Sequence, residues 1–472
     1  MSFMDIFRGE VVGLFTRLKN RDFSGNTGAA FKNSIFTFIL GIILKFGSLF
    51  FTIILIGDLI TVKLLGFSQP LLSASQWGLY SLAISTIILF SAFSDLGIGT
   101  TLVKFLSKEL AKKKGNPQAY INYLFKLKII LTLVASFALF GSAYFIQEYY
   151  YHKPIFLALL AGSFYLLINS LINFYTNIQQ SRNKFEITTI KEVIFQVLRL
   201  ILVPLAILIA VGRSDSILLF YMFIALNLSY LTCLIFLIKK TPAFKDKKEL
   251  TINEKREINS FILPLSVTII SGFFFGSLDM IILGSFVSAK TIGIYSVALA
   301  LIGSIISIIS FAGALLPILS KLDKEKLELF FKKSIVYTII ISSIMILFSL
   351  LLSKYVILII YGKEYLPSVS VFNWFTLLLI LDPLIGVYSN YFIVKSRQIF
   401  LAKTLIASTF INILLVYLSI KYLITFSEYT ALFGALAAVI TSRFIYLLIL
   451  ILAKDKKTSK NEKITIQDIP QS

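Results

Sequence analysis

Residues 129–145 read IILTLVASFALFGSAYF, an unbroken run without a charged side chain. About 20 mostly apolar residues are needed to cross roughly 30 Å of hydrocarbon. Extending the run to 121–146 reaches that length and adds only Lys126 and Lys128. The pattern recurs along the chain. Further spans are expected at 33–61, 77–103, 154–178, 190–212 and 216–238, then at 260–284, 290–318, 333–360, 368–394, 400–421 and 430–453. The longest polar gap, 240–259, is too short to fold as a domain of its own. Composition agrees: 57% of residues are hydrophobic and 15% charged, where soluble domains carry about 25% charged residues. The expected fold class is an all-α integral membrane protein with about 12 transmembrane helices.

Charge decides its orientation. With the N-terminus placed inside, the segments on that side together with the span ends next to them hold 33 of the 45 Lys and Arg, and the opposite loops with their adjoining span ends hold 7. The remaining five, Lys45, Lys126, Lys128, Arg199 and Arg443, lie within or at the edge of spans. Basic residues are retained on the cytoplasmic side, and a missed or invented span would scramble the alternation. The reading is therefore a multi-pass cell-membrane protein with both termini cytoplasmic. The net charge of +21 then marks topology and contact with anionic lipid headgroups. Nucleic acid is not an expected partner, because runs such as Lys112-Lys113-Lys114 are short and lack interleaved aromatics.

The chain divides into a cytoplasmic segment 1–32, six spans over 33–238, a linker 239–259, six spans over 260–453 and a tail 454–472. In the first segment Phe3, Phe7, Val11, Leu14, Phe15 and Leu18 recur at helical spacing, as in a helix lying on the membrane surface. No apolar core followed by a small-residue cleavage site precedes the first span. The lone cysteine, Cys233, excludes an intrachain disulfide.

The two sets of spans carry a repeat. Gly78-Leu79-Tyr80-Ser81-Leu82-Ala83 opens the second span and Gly293-Ile294-Tyr295-Ser296-Val297-Ala298 opens the eighth, 215 residues later. Ser181-Arg182 and Ser396-Arg397 share that offset. Six is even, so both halves run the same way through the bilayer. Parallel repeats of this kind rock against each other about an axis along the membrane normal.

Motors and metal sites are missing from the sequence. Gly362-Lys363 is followed by Glu364, which excludes a phosphate-binding Walker loop there. The single histidine, His152, lies in a tyrosine-rich outer loop, so a histidine metal centre is not expected. A transporter without a cofactor is expected rather than an enzyme, driven by the substrate's own gradient or by proton or Na+ coupling.

Ionisable groups inside spans cost about 2.5–3.5 kcal/mol at a helix centre on insertion scales and face protein or water. Lys45, Arg199 and Arg443 are candidates for a central site that binds an anion such as a diphosphate, since ammonium and guanidinium groups neutralise phosphate through charge-assisted hydrogen bonds. The competing reading is internal neutralisation, with Arg443 pairing Asp382. Asp95 and Asp279 read as structural or interfacial, and Lys126 and Lys128 as reaching the inner headgroups. Asn169, Asn173, Gln179 and Gln180 give the fourth span a polar inner half that lines an aqueous path or bonds neighbouring helices. Pro264 and Asp382-Pro383 mark expected kinks whose freed carbonyls face a cavity.

Trp77-Gly78-Leu79-Tyr80-Ser81-Leu82-Ala83, followed by Ser94-Asp95-Leu96-Gly97-Ile98-Gly99-Thr100, resembles the second helix of polysaccharide-export flippases of the O-antigen type. These belong to the multidrug/oligosaccharidyl-lipid/polysaccharide exporter superfamily. Lys32-Asn33-Ser34, Leu65-Gly66 and Phe433-Gly434-Ala435-Leu436-Ala437-Ala438 fit the same pattern, so the resemblance covers about 32–453. It implies two six-helix lobes in a V around a central cavity, and a polyprenyl-diphosphate-linked oligosaccharide moved between leaflets. Glycan polymerases and glycosyltransferases are the implied partners. Two departures favour O-antigen or capsule precursors. Lys45 stands in the first span, where drug exporters of the superfamily usually carry an acid, and there are twelve spans where peptidoglycan-precursor flippases usually have two more.

Overall fold

The computed structural model describes residues 40–58 except positions 42 and 45, together with 69–112, 115–242, 249–309, 324–395 and 397–467. Lys45, the surface-helix residues 3–18 and Lys113-Lys114 lie outside them. Among the described residues there are eleven helices long and apolar enough to span a membrane, and a shorter apolar helix, Phe46–Ile56, stands where the first span is expected. The protein is a multi-pass, all-helical membrane protein.

We label the helices α1 (Phe46–Ile56), α2 (Ala74–Asp95), α3 (Ile98–Leu110), α4 (Pro117–Phe145), α5 (Phe156–Ser181), α6 (Phe185–Ala210) and α7 (Asp215–Lys240). The second half comprises α8 (Ile252–Phe286), α9 (Ala289–Ile309), α10 (Lys324–Ile360), α11 (Ser368–Phe375), α12 (Leu378–Val394), α13 (Gln398–Leu423) and α14 (Glu428–Gln467). Helix starts follow local chemistry. Ser73 and Gln76 form a capping box at α2, and Thr251 and Glu254 form one at α8, each satisfying otherwise orphaned N–H groups.

The expected second span, 77–103, is broken in two. Leu96 (φ 41°) and Gly97 (φ 84°) both take left-handed backbone between α2 and α3. A Cβ on Gly97 would stand 2.9 Å from Leu265 of α8, so this bend needs glycine both for its φ and for the approach of the other lobe.

One apolar core runs through both halves. A second cluster, with Leu102, Phe105, Tyr120 and Ile258, closes the end that carries the basic loops. Outside the core, side chains such as Phe137 and Phe410 are about 70% exposed, as a lipid-facing surface requires.

The repeat is visible in contacts. Arg182 donates through Nη1 to the Lys240 carbonyl at the end of α7 (3.4 Å), and Arg397, its counterpart, to the Ala453 carbonyl of α14 (3.5 Å). Lys240 ends α7, where free carbonyls and the negative end of the helix dipole face Arg182, whereas Ala453 lies within α14. The halves are thus two like-oriented six-helix lobes.

Two sequence expectations fail for packing reasons. Lys128 does not reach the headgroups: it is 1% exposed and its Nζ lies 2.6 Å from Asp95 Oδ1. The carbonyl freed by Pro383, that of Leu379, does not face a cavity but accepts from Ser342 Oγ of α10 at 2.7 Å, so a neighbouring helix supplies the missing donor.

Candidate functional site: a central cavity lined by Arg199

A cavity of about 330 Å3 lies between the lobes, walled mainly by α1, α2, α5, α6 and α7 of the first lobe and by Met280, Ser296, Leu299 and Ala300 of the second. Its first wall is aromatic. Tyr80 of α2 stands 5.1 Å from Trp77 and 6.4 Å from Phe51, measured between ring centroids. Across from it, Tyr165 donates to Tyr230 (3.2 Å), and Tyr230 packs 4.2 Å from Phe195. Hydroxyls of Ser48, Ser81, Ser85 and Ser296 complete the lining.

Arg199 supplies the charge. Its guanidinium lies over the rings of Phe51 (4.3 Å) and Phe195 (5.1 Å), a cation–π arrangement. Nη2 donates to the amide oxygen of Gln196 at 2.6 Å. Among the described residues no carboxylate pairs with it. Arg199 Nε and Trp77 Nε1, on two residues that line this cavity, are buried without a hydrogen-bond partner among the described residues.

Arg443 is held otherwise. Its Nη1 lies 3.3 Å from Asp382 Oδ1, Nη2 donates to the Phe275 carbonyl at 3.4 Å, and the guanidinium covers the Phe275 ring at 4.4 Å. Asp279, buried nearby on α8, accepts from Tyr295. Arg443 and Asp382 therefore sit together inside the second lobe, outside the cavity lining.

Asn169 is half-buried and Asn173 exposed on α5. They follow Tyr165 by one and two turns on the same face but do not line the closed part of the cavity. Gln179 is buried and ties helix ends, donating to Thr241 Oγ1 at 2.8 Å. Sequence reasoning missed Trp77, Tyr80, Tyr165 and Tyr230 as lining residues. Tyr80 stands inside the repeat motif and Trp77 immediately before it, which could have flagged them.

One end of the cavity is sealed. Gly78 and Gly293 bring α2 and α9 into backbone contact. Beside them Lys153 donates to the Gly284 carbonyl of α8 at 2.7 Å, and burial pushes the Lys153 ammonium below its ordinary pKa. At the basic-loop end the first turns of α8 reach the first lobe, where Tyr123 donates to Asn259 at 2.9 Å.

The architecture is thus two like-oriented helical lobes around a membrane-embedded cavity lined by aromatic rings, hydroxyls and Arg199. The fold matches the lipid II flippase MurJ in an inward closed conformation, with a TM-score of 0.64 and 15% identity over 93% of each chain. It also matches an inward-facing multidrug resistance MATE family transporter, with a TM-score of 0.62 and 15% identity over 82% of this chain and 92% of that one. A MATE protein in complex with MaL6 follows at a TM-score of 0.55 and 16% identity, over 92% and 97%. No curated protein matches the sequence. Residues 70–370 match the family described as polysaccharide biosynthesis protein, and the chain belongs to that family.

Proposed function

We propose that this protein is a flippase for a polyprenyl-diphosphate-linked oligosaccharide, an O-antigen or capsule repeat unit, moved from the inner to the outer leaflet by alternating access. The observation that carries this reading is Arg199: a guanidinium with which no carboxylate among the described residues pairs, in a cavity between lobes walled by tyrosines, a tryptophan and serines. A glycan or a diphosphate bare in hydrocarbon would cost many kcal/mol. Arg199 offers the diphosphate a charge-assisted bond, and the rings and hydroxyls offer a sugar both stacking surfaces and hydrogen bonds. The prenyl tail stays in lipid. At about 330 Å3 the cavity is at the low end of the roughly 300–1,000 Å3 range of ligand pockets, so passage of a repeat unit requires the lobes to part.

On this reading the sealed end faces outward and the termini lie in the cytoplasm. The polymerase and glycosyltransferases of the same glycan act on either side of the step, and proton or Na+ coupling supplies the work. Deleting the gene and extracting lipids tests it. Lipid-linked oligosaccharide should accumulate on the inner leaflet while surface glycan falls. Unchanged surface glycan with new sensitivity to cationic drugs would instead make the protein a multidrug exporter.

A further inference from the structure

We infer that Glu192 and Gln196 are positioning residues for Arg199, and that the neutral amide between them keeps the guanidinium free to take an anion. This rests on the anion-site reading above. Glu192, Gln196 and Arg199 follow one another at four and three residues along α6, so they share a helix face. Glu192 Oε1 accepts from Gln196 Nε2 at 2.9 Å, and Gln196 Oε1 accepts from Arg199 Nη2 at 2.6 Å. Glu192 and Gln196 are 4% and 6% exposed.

The orientation of the amide is dictated by chemistry. An ionised carboxylate only accepts and a guanidinium only donates, so the NH2 of Gln196 must face Glu192 and its oxygen must face Arg199. Space dictates its place. A Cβ on Gly47 of α1 would meet the Gln196 amide carbon and oxygen at 2.5 Å, so the absence of a side chain there makes room for the amide.

The charge pattern completes the argument. Lys191 Nζ lies 2.8 Å from Glu192 Oε2, so the carboxylate already has a cation of its own. Arg199 is fixed in direction by a neutral acceptor and keeps its charge. Arg443 shows the alternative, a guanidinium set directly against Asp382. An arginine held by an amide can recruit an external anion; one held by a carboxylate has its counter-ion already.

The test uses the full chain in lipid nanodiscs, with inorganic pyrophosphate as probe and Trp77 as fluorescent reporter in a Trp374→Phe background. Gln196→Glu keeps the shape and places a carboxylate on the guanidinium. It should weaken pyrophosphate binding about tenfold or more and raise the transport KM while leaving the maximal rate. Gly47→Ala changes no charge but displaces the amide, and should weaken binding by a smaller factor. Wild-type binding and KM in both variants, with Arg199→Met defective, would overturn the positioning role and leave the anion site standing. Normal binding in Arg199→Met would remove both.

Discussion

Gly78 and Gly293 each meet a backbone carbonyl of the other's helix. A Cβ on Gly78 would lie 1.8 Å from the Ala289 oxygen, and one on Gly293 would lie 2.1 Å from that of Ala74. Each alanine precedes its glycine by four residues, so the contact is reciprocal between repeat-equivalent positions. A small residue every fourth position is the pattern that lets membrane helices touch backbone to backbone. Here it lies on the pseudo-symmetry axis and closes one mouth of the cavity.

Gly78→Val should therefore hold that mouth apart. With Cys233→Ala as background and Ser81→Cys in the cavity wall, a membrane-impermeant maleimide added outside should label position 81 several-fold faster than in the glycine parent. Transport should fall sharply, since one closed state is no longer reachable. Unchanged labelling would mean that the seal lies elsewhere.

Lys126 is exposed and Lys128 is buried against Asp95, and the two should respond differently to substitution. Lys126→Met should alter stability by less than about 0.5 kcal/mol. Removing one partner of a fully buried pair costs about 3–5 kcal/mol, but Asp95 keeps 30% of its surface in solvent. Lys128→Met should accordingly cost roughly 1–2 kcal/mol, read from unfolding titrations in micelles. Adding Asp95→Asn should recover most of the loss; a loss that persists would assign the effect to packing.

These lysines also mark where sequence reading ends. Hydropathy and charge alternation place the spans because both follow from the bilayer, which acts on every residue by depth. Side-chain direction follows from neighbours in three dimensions. Lys126 and Lys128 stand two positions apart and so point to nearly opposite sides of α4, yet composition treats them alike. The left-handed pair Leu96-Gly97 is of the same kind: the hydrophobic run continues past it, while the backbone breaks to admit Leu265. Among the site candidates, the pairing of Arg443 with Asp382 was one of two readings open in the sequence, since both acid and base were visible. The aromatic wall was not, because Tyr80, Tyr165 and Tyr230 come from three helices whose rotations only packing sets.

That wall gives a graded expectation. Tyr80 touches Trp77, Phe51 and Phe223, so its ring is held rigidly at the cavity surface. Tyr80→Phe should keep the stacking face and most of the transport. On the flippase reading, Tyr80→Ala should raise the KM for the lipid-linked glycan about three- to tenfold, in line with roughly 0.5–1.5 kcal/mol for an aromatic contact. Flipping assays in proteoliposomes measure both. Equal defects in the two variants would place the function in the hydroxyl rather than the ring.

The two half-buried arginines should separate under paired substitution. Arg443→Met alone strands Asp382, whose Oδ1 has the Arg443 ion pair but no hydrogen-bond partner among the described residues, and should destabilise the second lobe. Arg443→Met with Asp382→Leu removes both charges and should restore stability, because an ion pair can often be replaced by apolar groups at little cost. If the pair is structural, flipping returns with it. Arg199 has no such escape: no described carboxylate pairs with it, so no second substitution should rescue Arg199→Met. Arg199→Lys keeps the charge but loses the planar fork and should retain part of the rate. Flipping that stays absent in the Arg443/Asp382 double variant, despite recovered stability, would bring this second pair into the transport step itself.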